Sequence, residues 1–135
     1  MNYQEYVENL FKHACYAACI SFHFRNMQEL NWIQITQDIL DGLKLNFLDP
    51  DCYVRFPIKF IELLCKTKYR DVVKVSLSDL ADLPEGNWIV EYKKTPDAKA
   101  SHFVVANKKG IVFDPSGNSI TVQVGKPFTY RKYIV

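Results

Sequence analysis

A thiol, an imidazole and a carboxylate together can run acyl transfer: the thiolate attacks, the imidazole moves the proton, and the carboxylate fixes the imidazole tautomer. This sequence carries Cys15, His102 and Asp114 in that order. His102 opens the apolar run Phe103–Ala106 and Asp114 follows the run Ile111–Phe113, with Asn107-Lys108-Lys109-Gly110 between them. Polar residues ending in Gly suit a short hairpin turn, because Gly accepts a positive φ. Folding the ladder about Lys108 pairs residues whose numbers sum to about 216. His102 then falls opposite Asp114 to within a residue or two, and His102, Val104 and Ala106 share one strand face. Cys15 lies in Cys15-Tyr16-Ala17-Ala18-Cys19, an apolar stretch of helical character. A thiol at a helix N-terminus meets the positive end of the helix dipole, which favours thiolate. A helix that starts near Ala14 gives Cys15 that position.

The elements that must hold these groups follow from periodicity. Residues 3–24 have a helical pattern through Tyr3, Tyr6, Val7, Leu10, Phe11, Ala14, Ala17, Ala18, Cys19 and Phe22. It reads as one helix, or as two with a break near Lys12–Ala14. Asn31 is placed to cap a second helix carrying Trp32, Ile33, Ile35, Ile39, Leu40 and Leu43. Asp49-Pro50-Asp51 is a turn, and Pro57 opens a third helix, Pro57–Lys66, buried through Ile58, Ile61, Leu64 and Cys65. From residue 72 the period becomes extended. Strands are expected at 72–75, at 87–94 with Trp88, Val90 and Tyr92 on one face, in the His102 hairpin, at 119–124 and at 128–134; residues 78–83 form at most a helical turn. Helices first and an antiparallel meander second predict an α+β fold. The expected organisation is one domain over 1–135, with a helical half at 1–70 and a sheet half at 71–135.

Composition narrows the function. Hydrophobic residues make 48% of the chain and aromatics 14%, which is globular rather than disordered. A net charge of +2 argues against a large nucleic-acid footprint, and Lys93-Lys94 with Lys99 reads as solvated surface. No apolar run reaches the ~20 residues of a membrane helix. The first residues lack a signal-peptide pattern, so the expected location is cytoplasmic. The four cysteines, Cys15, Cys19, Cys52 and Cys65, fit a reducing compartment. Cys65 reads as core and Cys52 has no evident task. The sequence calls for no cofactor and no metal. Cys15, Cys19 and His23 lie along one helical stripe, but three residues over ~12 Å of helix cannot all reach one ion.

A helix-borne Cys, then a strand His, then a carboxylate on the next strand resembles the order of papain-like cysteine peptidases. Ser101-His102-Phe103-Val104-Val105 with Phe113-Asp114-Pro115 resembles pieces of the bacteriocin-leader-processing peptidases of ABC transporters, and Cys15-Tyr16-Ala17-Ala18-Cys19-Ile20 resembles their helix start. Leu48–Ile61, with Asp51-Cys52-Tyr53-Val54 and Pro57-Ile58-Lys59, looks like a small uncharacterised papain-like family carried by spirochaetes, their plasmids and phages. The resemblance implies a papain-like fold with Cys15 as nucleophile, His102 as base and Asp114 as orienter. The chain departs from the pattern at Ala14 and Tyr16, where Gly or Asp precedes the Cys and Gly often follows it. It departs again at Asn9, which stands where an oxyanion-hole Gln is expected. Asn9 could donate through its amide, but on one unbroken helix it lies nearly two turns below Cys15.

Bland readings stand beside this one. Cys15 and Cys19 suit plain helix packing, since Cys is among the most buried residue types. His102 and Asp114 suit a structural hydrogen bond, and Asp114-Pro115-Ser116-Gly117 an ordinary turn. The expected activity is a cysteine peptidase or amidase acting on a peptide or isopeptide bond of a protein or peptide substrate. The alternative is a catalytically inactive papain-like module that binds a protein partner, as a phage or plasmid interaction factor. A peptidoglycan or isopeptide amidase would use the same triad but would need export.

Overall fold

The computed structural model describes residue 10 and residues 12–135. Leu10, Lys12 and His13 are helical, and Ala14, with φ −98° and ψ 14°, interrupts the helix. It resumes as α1 (Cys15–Phe24). The two-helix reading therefore holds. Neither Gly nor Pro marks the break. Seven of the ten residues of α1 are buried, because it lies between the sheet and the other helices. Ala17 and Ala18 contribute no long side chain, which lets the backbone of α1 come close to the sheet.

α2 (Trp32–Lys44) starts where expected: Asn31 Oδ1 accepts a hydrogen bond from the Gln34 N–H at 3.1 Å. Ile35 and Ile39 face the core, while Ile33 is 86% exposed and Leu40 40% exposed, so only one stripe of the helix is buried. α3 (Pro57–Glu62) has Pro at its first turn and buries Phe60 and Ile61 completely. It stops four residues before the expected Lys66. Leu63 and Leu64 bond back three residues, to Phe60 and Ile61, and this tightening ends the helix. Cys65 consequently falls outside the helix and is half-buried, where the sequence reading placed it in the core.

The sheet has five antiparallel strands: β1 (Asp71–Ser76), β2 (Trp88–Lys93), β3 (His102–Asn107), β4 (Gly110–Phe113) and β5 (Lys126–Ile134). Their spatial order is β1-β5-β2-β3-β4, so the last strand inserts between the first two. Ile89, Phe103 and Val105 face the helices, whereas Val90, Tyr92, Val104 and Ala106 face a second cluster with Leu77 and Leu83. The centre of the sheet is covered on both sides, which is why residues on both faces of β2 and β3 are buried. A 3₁₀ turn, Leu80–Asp82, capped by the Asp79 side chain, belongs to that second layer.

One expected strand is a helix. Residues 119–124 were expected to be extended, since Ile120, Thr121, Val122 and Val124 have strand propensity. They form α4 (Ile120–Val124), which lays Val122 against the second cluster and leaves Ile120 and Val124 63% and 64% exposed. Gly125 ends it, packed so tightly on the Lys93 and Thr121 carbonyls that no Cβ fits. Helices on one side of an antiparallel sheet, with a small layer on the other, make an α+β architecture. Among the described residues no helix is long and apolar enough to cross a membrane.

Candidate active site

The break at Ala14 makes Cys15 the first residue of α1. Ala14 has no side-chain oxygen to cap the helix, and the backbone N–H groups of Tyr16 and Cys15 act on the Cys15 sulfur instead. Cys15 as a residue is 9% exposed. Burial pushes it up from its ordinary value of 9.0; N–H groups of Phe103, Tyr16 and Cys15 pull it down, the Asp114 carboxylate opposes ionisation, and the net shift is upward. Cys15 therefore requires a proton acceptor to become a nucleophile near neutrality. Cys19, one turn on, is fully buried, and burial pushes it well above its ordinary value. It is a packing residue.

His102 is the first residue of β3 and Asp114 follows the last residue of β4. The hairpin turn is the expected one: Asn107 pairs with Gly110, the Asn107 side chain accepts from the Lys109 N–H at 2.8 Å, and Gly110 has φ 147°. A β-bulge shifts the register between Val105 and Ala106. Across the open end, His102 Nε2 lies 2.7 Å from Asp114 Oδ1. A carboxylate only accepts, so Nε2 carries the ring proton and Nδ1 is the basic nitrogen of the neutral ring. Asp114 also accepts from the Ser116 and Ser119 N–H groups at 2.9 and 3.2 Å. One Asp114 side chain thus both caps the turn and hydrogen-bonds the His102 ring.

The thiol and the dyad meet through their neighbours. Tyr16, after Cys15, stacks on Phe103, after His102, with ring centroids 4.6 Å apart. The Arg131 guanidinium lies 5.0 Å from the Phe103 ring and 5.8 Å from the Tyr16 ring, and Tyr16 shares a 2.9 Å hydroxyl contact with Tyr133. Glu91 holds Arg131 at 3.3 Å and accepts from Thr129 Oγ1 at 2.8 Å. Burial would raise the Glu91 carboxyl, but hydrogen bonds from Thr129 and Ser101 and the Arg131 charge outweigh it and hold it below its ordinary value. Among the described residues no hydrogen bond joins the Cys15 thiol to the His102 ring. Asn9, the candidate oxyanion donor, lies outside the described residues.

A cleft of about 450 Å³ opens beside the thiol, lined by Lys12, His13, Cys15, Tyr16, Tyr53, Lys99 and Phe103 among others. Tyr53 contacts His13 through a 3.0 Å bond between its hydroxyl and Nδ1. Sequence reasoning passed over Glu91 and Arg131. The available signal was a single carboxylate inside the apolar run Trp88-Ile89-Val90-Glu91-Tyr92. Cys52 also acquires a place: it is buried at φ 72° in the turn after Asp51, and its thiol is pushed up to about 11 by burial and by Asp49 and Asp51. No curated protein and no solved structure matches the chain. Residues 1–133 match the family described as "Protein of unknown function, DUF261", and the chain belongs to that family.

Proposed function

We propose that the protein is a papain-like cysteine peptidase or amidase. The observation that carries the reading is the His102–Asp114 pair, closed at 2.7 Å, on the strand whose next N–H acts on a helix-terminal thiol. In the proposed reaction His102 Nδ1 takes the Cys15 proton and the thiolate attacks a peptide or isopeptide carbonyl. The oxyanion forms beside the Cys15 N–H. The C–N bond breaks, His102 returns the proton to the leaving amine, and a thioester to Cys15 remains. Water, deprotonated by His102, then hydrolyses the thioester and restores the thiol. Asp114 keeps the ring in the Nε2–H tautomer throughout. Incubation of wild type and Cys15→Ser with a mixture of synthetic peptides, read by mass spectrometry, tests this. New termini are expected from the wild type alone, and identical digests would end the reading.

A second reading has its own support. Burial raises the Cys15 thiol, and Ala14 and Tyr16 stand where the peptidase pattern has Gly or Asp before the Cys and often Gly after it. On that reading the chain is a papain-like module without chemistry that binds a protein partner, such as a phage- or plasmid-encoded interaction factor. Partner capture that is equal for wild type and Cys15→Ser, with no cleaved product, distinguishes it.

A further inference from the structure

The cleft beside Cys15 has a cationic lining. Its cationic lining comes from both walls: Lys12 and His13 precede Cys15, and Lys99 lies three residues before His102. Neither lysine forms an ion pair with another described residue, and both side chains are exposed. No carboxylate is among the described residues lining the cleft, although the chain carries 15 Asp and Glu against 17 Lys and Arg. Three other basic residues are ion-paired, Lys108 with Glu85, Arg25 with Asp38 and Arg131 with Glu91, whereas Lys93, Lys94 and Lys126 line a second cleft that also has no carboxylate among its described lining residues. The floor and walls between the lysines are aromatic and apolar, through Tyr16, Phe103, Tyr53 and Val54.

From this we infer that the cleft binds an acidic peptide segment, with Asp or Glu side chains on both sides of the bond presented to Cys15. The inference rests on the peptidase reading and names the substrate class of that same site. Lys12 lies three residues before Cys15 and Lys99 three before His102, and both line the cleft with the thiol, so an extended chain crossing it meets a cation from each segment. The aromatic floor receives the backbone and the aliphatic parts. Exposed charges are screened, and each lysine contributes about a two- to fivefold preference at low salt, or roughly tenfold together.

Protection of Cys15 from iodoacetamide tests this without requiring turnover. The probes are two N-acetylated, C-amidated hexapeptides, identical except that one carries Asp where the other carries Asn. The acidic peptide is expected to protect Cys15 at about tenfold lower concentration in low salt, and the difference should shrink at 0.5 M NaCl. Lys12→Glu/Lys99→Glu should abolish or invert the difference. Lys44→Glu/Lys109→Glu, which changes net charge equally on exposed residues outside the cleft, should keep it. Equal protection by the two peptides, a preference that survives the Lys12/Lys99 reversal, protection by a short oligothymidylate but by neither peptide, or no protection at all would each overturn the inference. Selective protection without cleavage would instead uphold the acidic-peptide site and remove the peptidase reading, so the two failures remain distinct.

Discussion

Iodoacetamide reacts with thiolates, so the pH dependence of Cys15 alkylation reports where the Cys15 proton goes. The structure sets two opposed expectations. Left to itself, the buried thiol ionises above its ordinary value of 9.0. Its reactivity then falls tenfold for each pH unit lost, about 100-fold between pH 8 and pH 6. If His102 Nδ1 takes the proton, thiolate persists across that range and the rate changes by less than about threefold. The perturbation is His102→Ala, which removes the acceptor and should convert the flat profile into the steep one. At pH 6 an ordinary thiol of pKa 9.0 is thiolate to about one part in 1,000. Burial makes Cys15 poorer still. A lower-pKa thiolate is also a weaker nucleophile, with a Brønsted slope of about 0.4–0.5, which over about three pH units offsets about 16- to 32-fold, so the wild type should be about 30- to 60-fold faster than His102→Ala at pH 6 rather than a thousandfold. The assay is peptide-resolved mass spectrometry after timed alkylation, with half-buried Cys65 as internal reference and Cys52, pushed up to about 11, as the slow control. Parallel steep profiles for wild type and variant would refute proton transfer from Cys15 to His102.

Three further outcomes follow from the packing. Asp38, 2% exposed, accepts from Ser21 at 2.7 Å, from Arg25 at 2.6 and 2.8 Å and from Gln34 at 3.0 Å, so Asp38→Ala should cost about 3 kcal/mol in urea unfolding; a cost below about 1 kcal/mol would show the network to be idle. Gly125→Ala must push its Cβ into the Lys93 and Thr121 carbonyls and should cost about 2–3 kcal/mol, whereas Gly86→Ala, with open space at φ 96°, should cost about 1 kcal/mol; equal costs by thermal melts would contradict the packing at Gly125. Glu91 is held below its ordinary value of 4.5, so its contribution is fully present above that pH and is lost as pH falls through the lower folded-state value. Glu91→Gln should therefore be less stable than wild type at pH 7, with the gap closing below pH 4.5, and a gap that widens in acid would reverse the sign.

Local chemistry made some elements legible and left others silent. The His102 hairpin was readable because its turn residues and its two apolar runs agree, and the Asn31 cap and Pro57 mark their helix starts in the same way. α4 was misread because Ile120, Thr121 and Val122 favour strand by themselves. Only the second hydrophobic layer, absent from any local window, makes a helical turn worthwhile there. The break at Ala14 carried no Gly or Pro, so the position of Cys15 at a helix start was available only as one of two readings. Cys65 was placed in the core by a period that the chain abandons at Leu63. Glu91 finds Thr129 and Arg131 38 and 40 residues away, a separation at which no spacing rule operates.

The electrostatics of the site turn on one asymmetry. Burial disfavours a lone Cys15 thiolate, and Asp114 disfavours it further. Yet the same low-dielectric surroundings strengthen attraction between opposite charges, so they favour a thiolate that ionises together with a neighbouring cation. Asp114, bonded to Nε2 at 2.7 Å, repels a solitary thiolate but compensates a positive His102 ring. One environment thus suppresses Cys15 alone and supports Cys15 as half of an ion pair. The Tyr16–Phe103 stack, with the Arg131 guanidinium 5.8 and 5.0 Å from the two rings, joins the residue after Cys15 to the residue after His102. The raised thiol therefore bears on both readings: it weakens a solitary Cys15 nucleophile, and on the proposed reading it is the shift that proton transfer to His102 must overcome.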